Sequence, residues 1–290
     1  MREQISKLRD LVEQQKKKPA ARVLAVSGGK GGVGKTSFTV NFAIALSQRG
    51  KRVLIIDADF GLANIDVMLG VSVLNDLSSV INGQKELRDI VVQGHHGVKF
   101  ISGGSGVIDL IRLDEAKVLR LISRLGQLDD LADIILFDTS AGISDIVMRL
   151  VRSSNEAFII TTPEPTAIMD AYALIKTLDR YHEAPPLHLV VNMAATSREG
   201  REMLQGFTRV VGKNMNVQID RMGYILRDPA VVQAIKAQVP FLVGFPGCMA
   251  AQNIQDIAAR YLDVPGTEHK GQGISQFLNR FLRRQSEVVG

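Results

Sequence analysis

Tryptophan is absent from this 290-residue chain, cysteine occurs once, and aromatic residues make up only 5% of it. The lone cysteine, Cys248, allows no internal disulfide framework and no thiolate pair for an iron–sulfur cluster, and it fits a reducing cytoplasm. No apolar run approaches the roughly eighteen residues that span a bilayer. The N-terminus is polar and charged, unlike a secretory signal. The histidines His95, His96, His182, His188 and His269 lack the spacing of metal ligands. No Pro/Gly-rich linker and no internal repeat breaks the middle of the chain.

What is present is a large apolar fraction, 46%, with 22% charged residues, as in a soluble domain with a sizeable core. The net charge of +5 is localised. Residues 1–18 carry +3, residues 270–290 carry +3, and the body between them is close to neutral at −1. Basic tails on a near-neutral body favour anionic contacts by the termini and make DNA an unfavoured partner of the body.

From Arg22 onward, short apolar runs alternate with helical patterns. Strands are expected at Val23–Ser27, Val53–Asp57, Val98–Ile101, Ile134–Asp138, Ala157–Thr161, Leu187–Asn192 and near Gln218–Leu226. Helical periodicity is clearest at Ser37–Gln48, Glu115–Leu125, Thr166–Arg180 and Pro229–Ala237. Strands apolar on both faces and separated by helices predict a doubly wound, mostly parallel α/β sheet. The expected divisions are 1–18, an N-terminal helix and linker; 19–265, the α/β domain; and 266–290, a linker and a C-terminal amphipathic helix.

The run Gly28-Gly29-Lys30-Gly31-Gly32-Val33-Gly34-Lys35-Thr36 follows a strand and opens a helix, the context of a phosphate-binding loop. Glycines let backbone N–H groups converge on phosphate oxygens, and the helix N-terminus adds a favourable dipole. Lys35 is expected on the β- and γ-phosphates and the Thr36 hydroxyl on Mg²⁺.

The additional lysine, Lys30, makes KGGVGKT resemble the deviant Walker A ATPases that include MinD, ParA, the nitrogenase iron protein and the arsenite ATPases. The resemblance implies a P-loop NTPase fold of the SIMIBI/MinD-like kind. It also implies a homodimer in the ATP state, in which Lys30 reaches the partner's nucleotide as a trans-acting cation. By the same resemblance, Asp57-Ala58-Asp59 stands at switch I, with Asp57 supporting Mg²⁺ and Asp59 orienting the attacking water. Asp138 stands at Walker B as a second carboxylate near Mg²⁺, and Gly142 offers its N–H to the γ-phosphate. Asn192 stands where relatives read the adenine edge, and Asp228 resembles a second base-contacting position. No Asn-Lys-x-Asp guanine motif is present, which favours ATP. The implied chemistry is slow, switch-type hydrolysis of ATP to ADP and phosphate.

In the C-terminal segment Ile274, Phe277, Leu278, Phe281 and Leu282 fall on one helical face, with Arg280, Arg283 and Arg284 beside it. Such a face suits either an interfacial membrane helix or docking on the protein's own core. It resembles the membrane-targeting tail of MinD-type proteins. That resemblance implies an anionic membrane surface as partner and a cytoplasmic protein that sits peripherally on the inner face of the cell membrane when ATP-bound.

The stretches Asp57–Gly70, Val98–Gly106 and Thr162–Leu174 resemble the flagellar-number regulators of the MinD branch, the FlhG (FleN/YlxH) type. Glu3-Gln4-Ile5 with Leu8-Arg9 resembles the activator motif of that branch, so Gln4, Leu8 and Arg9 are candidates for stimulating the signal-recognition-type GTPase FlhF. A flagellar C-ring component or a transcription factor would be a further partner. Alternatives are a ParA-type DNA-partition ATPase and a MinD-type regulator of the cell-division site.

Overall fold

The computed structural model describes residues 20–59, 65–71, 73, 75–103, 126–263 and 273–283. Activator candidates Gln4, Leu8 and Arg9, the expected helix at Glu115–Leu125 and the membrane candidate Arg284 lie outside the described residues.

The first strand, β1 (Arg22–Ser27), shows why a parallel sheet forms. Leu24 and Val26 join one apolar core, while Val23 and Ala25 join the two cores on the opposite face. A strand buried on both faces needs helices above and below it. The same holds for β2 (Val53–Ala58), β5 (Ile134–Thr139), β6 (Glu156–Thr161) and β7 (Leu187–Ala194). With β3 (Val92–Gln93), β4 (Lys99–Ser102) and β8 (Ile219–Leu226) they form one sheet, in the order β3-β4-β2-β5-β1-β6-β7-β8. Every pairing is parallel except β3 with β4. The expected strands are all found, with ends shifted by one or two residues; β3, too short to show alternation, is the strand that periodicity missed.

One face is covered by α1 (Lys35–Gln48), which is buried almost all round from Phe38 to Leu46. The opposite face carries α2 (Asp145–Ser153), α3 (Pro165–Arg180) and α4 (Ser197–Asn214). Next come α5 (Pro229–Lys236) and α6 (Met249–Asp263), the latter packing beside α1 through Tyr261 and Phe42. Sequence periodicity did not single out α2, because its buried side includes Arg149 and Arg152. These pair with Asp145 and Glu183 instead of breaking the core.

The last described element is α7 (Gly273–Arg283), and its apolar face is not free. Ile274, Phe277, Leu278 and Phe281 are fully buried against Ile56, Leu77, Ile101, Leu128, Phe137 and Leu150. Phe277 stacks on Phe137 with ring centroids 4.5 Å apart. Asp129 clasps the start of the helix, accepting from the Ile274 N–H at 3.0 Å and from the Ala21 N–H at 3.3 Å. The face expected to meet a membrane therefore docks on the body in this conformation. Leu282 packs at its border.

Candidate functional site

The loop between β1 and α1 emerges at the carboxyl ends of the strands, where the chain turns outward in both directions along the sheet. Two of its glycines have identifiable causes. A Cβ on Gly29 would run into the backbone of Asp170 on α3, so only glycine lets α3 approach. Gly34, the residue before α1, has φ +91°, the left-handed region that glycine enters without strain. Gly31 and Gly32 have open space around them, as a ligand cradle requires.

Lys35 is buried beneath this loop. Burial pulls its ammonium down from the ordinary lysine range, while Asp138 and Asp59 pull it back up. The parallel register sets Asp57 of β2 opposite Asp138 of β5. Asp138 is 1% exposed and accepts from Thr36, and from Thr39 at 2.9 Å. Burial nevertheless raises its carboxyl to about 6. Asp57 is raised to about 7, again mainly by burial, although it accepts from the backbone of Asp59 at 3.0 Å and of Ile65.

Two neighbouring buried carboxylates with one lysine form a site short of positive charge. The donors present fit Mg²⁺, which is held by a few oxygens and completes its shell with water and phosphate. Thr36 and Asp138 would hold it, with Asp57 alongside. When bound, it would neutralise charge on the β- and γ-phosphates.

Other expected residues have partners in this structure. Lys30 Nζ lies 3.0 Å from Glu164 Oε2 and 2.8 Å from Thr166 Oγ1, at the start of α3 of its own chain. The Gly142 N–H donates to Gly28 O at 3.1 Å, joining the loop after β5 to the phosphate loop. Asn192 Nδ2 donates to Val33 O at 2.8 Å, and Asn192 Oδ1 accepts from the Met193 N–H, so this amide braces the phosphate loop from below. Asp228 departs most from its expected role as a base contact. It caps α5 through the Ala230 N–H and also accepts from the Met249 and Ala250 N–H groups at the start of α6. Both its oxygens are committed to that joint. Sequence reasoning missed Thr39, Glu164 and Thr166. Thr39 lies one helical turn beyond Lys35, and Glu164 and Thr166 lie in the Thr162–Leu174 stretch, which carries a family resemblance but by itself assigns no role at the site.

A phosphate loop between the central strand and a buried helix, with aspartates ending two neighbouring strands, defines a P-loop nucleoside triphosphatase. The family described as "ParA: NUBPL iron-transfer P-loop NTPase" matches residues 20–262. The antiactivator FleN of Pseudomonas aeruginosa is 37% identical over 90% of this chain and 94% of its own length. The flagellum site-determining protein YlxH of Helicobacter pylori is 31% identical, over 90% of each chain. The septum site-determining protein MinD of Pyrococcus horikoshii, solved with Mg-ADP, superposes with a TM-score of 0.68 at 25% identity, over 86% of this chain and 99% of that one. The chain belongs to the ParA/MinD family of P-loop NTPases and hydrolyses ATP. Its single cysteine gives no thiolate pair for the iron chemistry in the family description.

Proposed function

We propose that this ATPase regulates flagellar number and placement as a switch between a monomer and an ATP-bound homodimer. The similarity to FleN and YlxH along nearly their whole lengths supports the flagellar setting. The observation that carries the switch is Lys30, held by Glu164 and Thr166 of its own chain. To serve a partner's phosphates it must leave them. Both ends of the Lys30–Glu164 pair are substantially exposed, at 38% and 59%. Such pairs contribute about 0.2–1 kcal/mol, so the hold is weak enough for nucleotide to displace.

In this reading the backbone of Gly29–Gly34 and Lys35 bind the phosphates, and Asp59 orients the attacking water. Gly142 moves from Gly28 O to the γ-phosphate, and the partner's copy of Lys30 neutralises charge that develops during transfer. The tail reports the nucleotide state. Ile274, Phe277, Leu278 and Phe281 serve either the body or a membrane, so the two destinations compete. Two tails released together in one dimer would hold an anionic surface by avidity. Residues 1–18 would then present Gln4, Leu8 and Arg9 to FlhF.

The test has two arms. Sedimentation with phosphatidylglycerol vesicles, with ATP or ADP, should show binding only with ATP; equal binding in both states would remove the switch. GTP hydrolysis by FlhF should rise with a peptide of residues 1–18 and not with one bearing Gln4→Ala and Leu8→Ala. No rise with either peptide would remove FlhF as the target.

A further inference from the structure

The outer edge of β8 is one end of the sheet, and it differs in character from the other. β3 ends the opposite side with two residues, whereas β8 offers eight. A long unpaired edge is a template for another strand unless it is covered. Here the walls of α4 and α6 stand apart over β8 and leave a recess of about 520 Å³. The buried apolar side chains Leu204, Met222 and Ile257 are part of its lining. Its rim holds three arginines, Arg201, Arg221 and Arg260.

Two side chains of α6 occupy positions that a strand would take. Arg260 Nη1 lies 3.4 Å from Arg221 O, and Asn253 Oδ1 accepts from the Leu226 N–H at 3.1 Å. Between these two points β8 has no strand on its outer side among the described residues. Among the described residues none of the three arginines forms an ion pair, although Asp256 lines the same recess.

We propose that this recess is a docking site for an acidic, extended peptide segment of another protein, which adds as a strand to the outer edge of β8. Main-chain hydrogen bonds would supply affinity and the arginines would select sequence, since alternate side chains of an added strand point to opposite faces. Charge decides among the occupants. Both tails of this chain carry +3 and would be repelled. A second copy paired edge to edge would bring another set of the same three arginines. Duplex DNA is favoured by a broad positive field, and the body of this chain is near neutral. The inference is independent of the nucleotide switch, because β8 is separated from β1 by β6 and β7.

The test uses the full chain and a fluorescein-labelled octapeptide of alternating glutamate and valine, read by anisotropy at physiological salt. Saturable binding is expected, weakened about tenfold or more by Arg221→Glu with Arg260→Glu. It should also be lost when alternate peptide nitrogens are methylated, because methylation removes backbone donors and leaves charge intact. Hydrogen exchange should slow at Met222–Ile225 when the native peptide is present. Unchanged ATP hydrolysis by the double variant would confirm that it is folded and keep this result separate from the switch. Failure to bind, binding indifferent to N-methylation, or preferential binding of a duplex DNA probe lost in the same variant would each overturn the proposal.

Discussion

Lys30 and Lys35 lie five positions apart in one loop and answer to different forces. Lys35 is buried, and Asp138 and Asp59 hold its charge. Lys30 is exposed and held by a weak pair. Replacing Lys30 with alanine should therefore leave nucleotide affinity within a few-fold of the parent. Hydrolysis should fall by roughly 10³-fold, or to the detection floor, as loss of a trans-acting cation does; calorimetry with ATP and a phosphate-release assay separate the two. Glu164→Gln should act in the opposite direction. Loosening the hold on Lys30 should favour the ATP dimer by about 2–5-fold, the scale of an exposed ion pair, measurable by light scattering during gel filtration. His188 supplies the pH dependence of stability. It is buried between Glu156, 2.7 Å from its Nε2, and Asp220, and Arg22 also bonds Glu156. Burial lowers its pKa to about 4, with Asp220 opposing and Arg22 assisting. The folded value lies below the ordinary 6.5, so the unfolded chain takes up the proton first. The stability associated with neutral His188 is full above pH 6.5 and is lost as pH falls toward 4, by about 3 kcal/mol. Asp57 and Asp138 shift in the stabilising sense on acidification, so the informative quantity is the difference in urea midpoint between the parent and His188→Gln, which should shrink from pH 7 to pH 4.5.

The element whose position matters most is α7. Burying Ile274, Phe277, Leu278 and Phe281 contributes at most roughly 6–12 kcal/mol, at about 1.5–3 each. A membrane would have to replace this burial before the helix left the body, so under the proposed switch the two destinations compete for the same four side chains. Phe277→Asp places a charge against Phe137 and should undock the helix while leaving the sheet intact. The expected signature is early proteolysis near residue 273 with a circular dichroism spectrum otherwise close to the parent. The aspartate would also spoil the face proposed to meet a membrane, so vesicle binding should fail in both nucleotide states. Asp129→Asn is the milder companion, because it weakens only the clasp on the Ile274 and Ala21 N–H groups. It should raise vesicle binding in ADP while preserving the apolar face. If it sediments with vesicles no better than the parent, the clasp has no part in holding the tail.

At the scale of the whole molecule, the proposed completion of the active site by a partner's Lys30 predicts that ATP turnover per chain rises with protein concentration and levels off once the dimer is populated. A turnover independent of concentration over the monomer–dimer range would mean that each chain hydrolyses ATP alone. Much of this molecule was legible in its sequence for a physical reason. A parallel strand must be apolar on both faces, so Ile134–Phe137 announced itself, and an aspartate ending such a run stood out as Asp138. The glycines and lysines of the phosphate loop were readable because phosphate chemistry needs those residues at that spacing, wherever the loop sits. Other features existed only once the chain was folded. Sheet register alone sets Asp57 beside Asp138. The approach of α3 alone explains Gly29 and gives Lys30 its partners. Asp228 was read as a base contact, yet it joins two helices. The amphipathic pattern of Ile274–Leu282 recorded one apolar face and left open what that face would meet. Periodicity measures how a segment divides its side chains between two surroundings. Which surroundings those are depends on groups distant in the chain, here Phe137 and Asp129, and only the tertiary structure brings them together.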